Sequence, residues 1–65
     1  MNTVYNPDGT VTVHSPGDYS LSEIRSEAAL RFAHEHGTAV DWPSLVRTTE
    51  LGRDAFAATY ALAGV

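Results

Sequence analysis

The stretch Pro43-Ser44-Leu45-Val46-Arg47-Thr48-Thr49-Glu50-Leu51-Gly52-Arg53-Asp54-Ala55-Phe56-Ala57-Ala58-Thr59-Tyr60-Ala61-Leu62-Ala63 makes up a third of the chain, and what it forms decides how the rest can be covered. Pro43 suits the first turn of a helix, where its missing N–H costs nothing. Ala, the best helix former, is abundant after residue 54. From Ala55 to Ala63 the run is apolar nearly all round, as in a helix with neighbours on more than one side. These features predict a second helix over 43–63, stopped by Gly64. Its core face would be Leu45, Phe56 and Tyr60, flanked by Leu51, Ala55 and Leu62. Gly52, following Thr48-Thr49, predicts a kink or break near residues 48–52.

Upstream, Thr38 to Trp42 reads as an extended connector because Trp42 precedes Pro43. Before that lies the clearest local signal. Ser20 with Glu23 three residues on is a capping box, and Tyr19 and Ile24 are spaced as a hydrophobic staple. A first helix is expected from Leu21 to His36, ended by Gly37 in the left-handed conformation. Its apolar stripe is Leu21, Ile24, Ala28 and Phe32; Glu23, Glu27, Leu30 and His34 fall on the opposite face.

The N-terminal residues 3–14 read as a β-hairpin. Thr3-Val4-Tyr5 and Thr10-Val11-Thr12-Val13 are β-branched and aromatic. Asn6-Pro7-Asp8-Gly9 supplies the turn, with Pro7 fixing φ and Gly9 free to take positive φ as a bulge. This loop sets Tyr5 opposite Val11 and Thr3 opposite Val13. A lone hairpin is unstable in water, so its apolar face must lie on a helix. The expected fold class is therefore α+β: one small domain over residues 1–65, a β-hairpin (3–14) packed on two α-helices (20–37 and 43–63), in the order ββαα.

Sixty-five residues bury a small core, and scaffolds of this size usually gain a disulfide, a metal or a partner. The chain has no Cys, which excludes disulfides and thiolate zinc sites. No apolar run is long enough to span a bilayer, and Met1-Asn2-Thr3 is no signal peptide, so a soluble intracellular protein is expected; the absence of Lys beside plentiful Ala, Gly and Val fits a high-GC bacterial or phage genome, and so the cytoplasm of a bacterial host cell. The net charge is −4, from eight carboxylates against four Arg and no Lys. The excess sits in residues 1–42, where Asp8, Asp18, Glu23, Glu27, Glu35 and Asp41 face only Arg25 and Arg31. That sign opposes direct nucleic-acid binding, whose phosphate contacts come mainly from Lys and Arg.

His34-Glu35-His36 suggests a metal site, but residues two apart on a helix diverge by about 200° and cannot share one ion. The i, i+4 zinc spacing is missing, and a third ligand such as His14 or Asp18 would have to come from the fold. Nucleophilic catalysis would need Ser or Thr beside a His with an orienting acid, for example His14 with Ser15 or Asp41; no strained nucleophile turn or glycine-rich phosphate loop accompanies them. Leu45 to Arg53 invites a helix-turn-helix reading, yet the following Asp54-Ala55-Phe56-Ala57-Ala58-Thr59 has no basic or amide side chain for base edges. A non-enzymatic protein without metal or cofactor is expected.

Glu23 and Glu27 stand four apart, where like charges repel by a few tenths of a kcal/mol. Capping by Glu23 and pairing of Glu27 with Arg31 would make them an ordinary solvated face. Leu30 on the same face and Asp18 just upstream point instead to docking: carboxylates around an exposed apolar residue suit a basic protein surface. Asp18, Glu23, Glu27, Leu30 and His34 are the candidate partner-binding residues.

In length, in the acidic residues Asp18, Glu23, Glu27 and Glu35, and in lacking Lys, Cys and a catalytic set, the chain resembles the small phage-encoded inhibitors of bacterial defence, the anti-CRISPR proteins. The resemblance is one of general character, without a diagnostic motif. It implies an acidic DNA mimic that binds a CRISPR effector subunit where target DNA would enter, with no cofactor. The alternative from another class is a small oligomeric phage structural or accessory protein, self-associating through the Ala-rich second helix with Leu62 and Val65. The partner protein would carry a basic surface, and the chain itself would be a monomer or weak homo-oligomer.

Overall fold

The computed structural model describes residues 1–62. Its element order is β1 (Asn2–Tyr5), β2 (Val11–Pro16), α1 (Leu21–His36), β3 (Ser44–Gly52) and β4 (Ala55–Ala61). The four strands form one antiparallel sheet in the order β1-β2-β4-β3. The fold is thus ββαββ with one helix, not the ββαα arrangement expected from the sequence. The predicted second helix is replaced by a strand–turn–strand; its expected end at Ala63 and Gly64, and the apolar Val65, lie outside the described residues.

Two physical reasons overturn that helix. The first is period. Phe56, Ala58 and Tyr60 alternate toward α1, opposite Ser15, Val13 and Val11 of β2, while Ala57 and Thr59 point to the other side. The all-round apolar character reports a central strand, since β4 is paired on both edges and Ala58, Thr59 and Tyr60 are buried in succession. Pairing on both edges hides Thr59 as well as the helix-facing Ala58 and Tyr60, and here tertiary pairing overrides the helix propensity of Ala. The second is the turn. Gly52 pairs with Ala55 across Arg53-Asp54, and Gly52 has φ +148, a conformation that L side chains rarely adopt. The residue expected to kink a helix closes a hairpin instead. Two bulges, between Leu45 and Arg47 and between Glu50 and Gly52, interrupt the β3–β4 ladder.

The first half of the chain follows its sequence. Tyr5 pairs with Val11 and Thr3 with Val13. Gly9 has φ +87, and its N–H donates to Asn6 O at 3.0 Å. Asp8 Oδ1 accepts from Thr10 N–H at 3.0 Å and from the Thr10 hydroxyl at 2.6 Å. Ser20 caps α1, accepting from Glu23 N–H at 3.2 Å, and Gly37 closes it at φ +72 with its N–H on Ala33 O. The second arm of the box differs: the Ser20 hydroxyl donates to Glu23 Oε1. Gly17 N–H donates to Asp54 O at 2.6 Å, tying the loop before α1 to the β3–β4 turn.

The core lies between α1 and one sheet face and consists of Val11, Val13, Ile24, Ala28, Phe32, Ala58 and Tyr60, with Val40, Phe56 and Leu62 packed against it. Ile24, Ala28 and Phe32 are the expected helix stripe, but Leu21 is exposed. Leu45, expected in the core, is 46% exposed because β3 lies at the sheet edge, away from the helix. Tyr5 meets the ring of Phe32 edge-on at 6.4 Å. No described helix is long and apolar enough to cross a membrane.

Candidate interaction surface

Helical geometry sorts the candidate residues. Ile24, Ala28 and Phe32 face the sheet, so Glu23, Glu27, Leu30 and His34 fall together on the flank about a quarter turn and more from that direction. Glu23, Leu30 and His34 are exposed and Glu27 is half-buried. Leu30, at 65%, is among the most exposed large apolar side chains. Asp18 is exposed in the turn that precedes the cap. Met1, Tyr19, Glu23, Ser26 and Glu27 line one shallow hollow, which places this flank on the β1 side of the helix. Tyr19, expected to staple the helix start, borders the hollow while Ile24 goes into the core.

The pairing of Glu27 with Arg31 does not form. Arg31 Nε donates to Glu35 Oε1 at 2.9 Å, and its Nη1 donates to Thr3 O and Thr3 Oγ1 at 3.1 and 3.2 Å. Arg31 is thereby committed to Glu35, four residues on, and to β1, the second a role no local spacing announces. Arg31–Glu35 is the one salt bridge among the described residues. Neither Glu23 nor Glu27 is in a salt bridge among the described residues.

The other flank is different in chemistry. Arg25 Nε donates to Pro43 O, and its guanidinium lies 5.3 Å from the centre of the Trp42 ring. Leu21, Arg25, Trp42, Leu45 and Tyr60 line a groove between α1 and β3. Burial pushes the Tyr60 hydroxyl above its ordinary range, with Arg25 opposing the shift. The helix thus sets Glu23, Glu27 and the Arg31–Glu35 pair toward β1 and Arg25 toward β3.

The two histidines part company as their spacing requires. His34 is on the acidic flank, whereas the His36 ring stands 6.3 Å from Tyr5 and 6.2 Å from Phe32. Among the described residues no three His, Cys, Asp or Glu side chains are grouped to hold a metal ion. Ser15 is buried and its hydroxyl donates to Pro16 O, while His14 is exposed on the opposite side of the strand. Alternation along β2 separates those two, so they form no catalytic pair. Sequence reasoning missed the β3 edge and the groove beside it. The β-branched run Val46, Thr48, Thr49 was the available signal. Comparison of the chain with known protein families, with curated proteins and with solved structures finds no match.

Proposed function

We propose that this chain is a non-enzymatic interaction protein that sets the acidic flank of α1 on a basic, nucleic-acid-binding surface of a partner protein and blocks it. The observation that carries the reading is the pair Glu23 and Glu27, neither in a salt bridge among the described residues, on the same flank as Leu30. Exposed carboxylates steer association with a basic partner, and an apolar anchor among them adds contact that salt does not screen. An inhibitor of the anti-CRISPR kind, occupying the DNA-entry surface of a CRISPR effector subunit, is the specific form we favour. The oligomeric structural reading loses the Ala-rich helix on which it relied, since those residues are the central strand β4.

The test uses purified CRISPR effector complexes and measures their binding to target DNA with and without the chain. Competition by wild type, lost in Glu23→Lys/Glu27→Lys and retained in a variant reversing two acids off the flank (Asp41→Lys/Glu50→Lys), supports the proposal. Equal competition by both variants would remove the flank from the account, and no competition by wild type would remove the partner.

A further inference from the structure

We infer that the groove between α1 and β3 binds a small monocarboxylate, whose anionic end meets Arg25 and whose apolar body lies on Trp42 and Leu45. The space exists because α1 packs on β1, β2 and β4, which leaves the helix-facing side of β3 uncovered beside it. Leu45 stands on that side, opposite Tyr60. The groove offers about 350 Å3, within the range of roughly 300–1,000 Å3 found for ligand pockets. At about 30 Å3 for each water-sized group, that is room for about ten non-hydrogen atoms.

The chemistry of the walls selects the ligand. Of the residues that line the groove, Arg25 alone is charged. The bond from its Nε to Pro43 O and the Trp42 ring against its guanidinium hold the fork before any ligand arrives. Among the described residues neither Nη nitrogen of Arg25 has a hydrogen-bond partner. That edge of the guanidinium matches the two oxygens of a carboxylate. A single cation in a chain of net charge −4 favours a singly charged anion over a phosphate monoester.

The Tyr60 hydroxyl lies within the field of Arg25 and is loosely held. Its bond to Leu21 O is long at 3.4 Å, against about 2.5–3.0 Å for a well-formed O–H donor. A carboxylate oxygen would give it a stronger acceptor. The rest of the wall is apolar: Leu21, Trp42 and Leu45 are each about half exposed, and a hydrocarbon body laid over them removes that surface from water.

This site is independent of the proposed inhibition, since the acidic flank faces the β1 side of α1 and the groove the β3 side.

Sodium octanoate is the probe, and Trp42, the one Trp of the chain, is the reporter. Titration at fixed ionic strength should shift the emission of wild type to shorter wavelength and saturate, with a dissociation constant on the order of 1 mM. 1-Octanol, equal in its apolar body but uncharged, should bind about tenfold more weakly, as should octanoate to Arg25→Gln. Leu45→Glu, at a half-exposed position, should also lose octanoate, while Glu23→Lys/Glu27→Lys should keep it. In wild type the amide resonances of Leu21, Ser22 and Ser44 should move as octanoate is added, a reading that needs no variant. No saturable response of wild type, octanol binding as well as octanoate, unchanged affinity in Arg25→Gln, or resonance shifts centred away from the groove would each overturn the inference.

Discussion

Phe32→Ala and Leu45→Ala, taken together, separate a one-helix fold from a two-helix one. Phe32 is fully buried under α1, stacked edge-on against Tyr5 and close to His36. Truncating a buried Phe costs about 3–5 kcal/mol through lost burial and the cavity left behind. A 65-residue chain holds in total about 3–10 kcal/mol, and the core here is seven residues. Phe32→Ala should therefore be largely unfolded at 25 °C, or melt in the first molar of urea. Leu45 has half its side chain in water already, so Leu45→Ala should lose at most about 1 kcal/mol. Had residues 43–63 formed a helix with Leu45 facing the core, the same change would cost about 2–5 kcal/mol. Urea titrations followed by circular dichroism compare the two at equal chain concentration. A Leu45→Ala midpoint shift as large as that of Phe32→Ala, or a Phe32→Ala midpoint near wild type, would refute the core assignment.

Gly52→Ala should cost about 1–3 kcal/mol from backbone strain alone, because no atom lies within 4 Å of where its Cβ would stand; a wild-type melting temperature would contradict the turn. Ser20→Ala removes the cap acceptor of Glu23 N–H and should lower stability by about 1 kcal/mol in the same urea titration. The two hydrogen bonds from Thr10, the side-chain one first, hold the Asp8 carboxyl below its ordinary 3.8. A lowered folded-state pKa contributes stability above the unfolded-state value, and that contribution fades as the pH falls through the folded one. Acid unfolding of Asp8→Asn should thus be less steep below pH about 4 than that of wild type, and superimposable acid curves would discount the turn bonds.

The first thirty-seven residues were legible because their signals are local. Pro7 to Gly9, Ser20 with Glu23, and Gly37 each fix a conformation through neighbours two to four positions away, and the Ile24-Ala28-Phe32 stripe needs only helical geometry. The second half depends on partners far along the chain. Ala57, Ala58 and Thr59 are strand residues because β2 and β3 bond to both sides of them, and nothing within a few residues says so. Small residues also serve there: Ala28 and Ala58 are both fully buried between helix and sheet. Of the candidate surface, the sharing of one flank by Glu23, Glu27, Leu30 and His34 was readable from spacing. The anchoring of Arg31 on Thr3 was not, since it depends on β1 lying beside the helix.

The central claim is that carboxylates on one flank of α1, and not the net charge of the chain, drive docking. The most direct measurement is the salt dependence of binding between the chain and a CRISPR effector complex, for wild type, Glu23→Lys/Glu27→Lys and Asp41→Lys/Glu50→Lys. The account predicts affinity that falls with ionic strength for wild type and for the Asp41/Glu50 variant, and is lost in the Glu23/Glu27 variant. Binding that ignores salt, or that weakens equally in both variants, would contradict it.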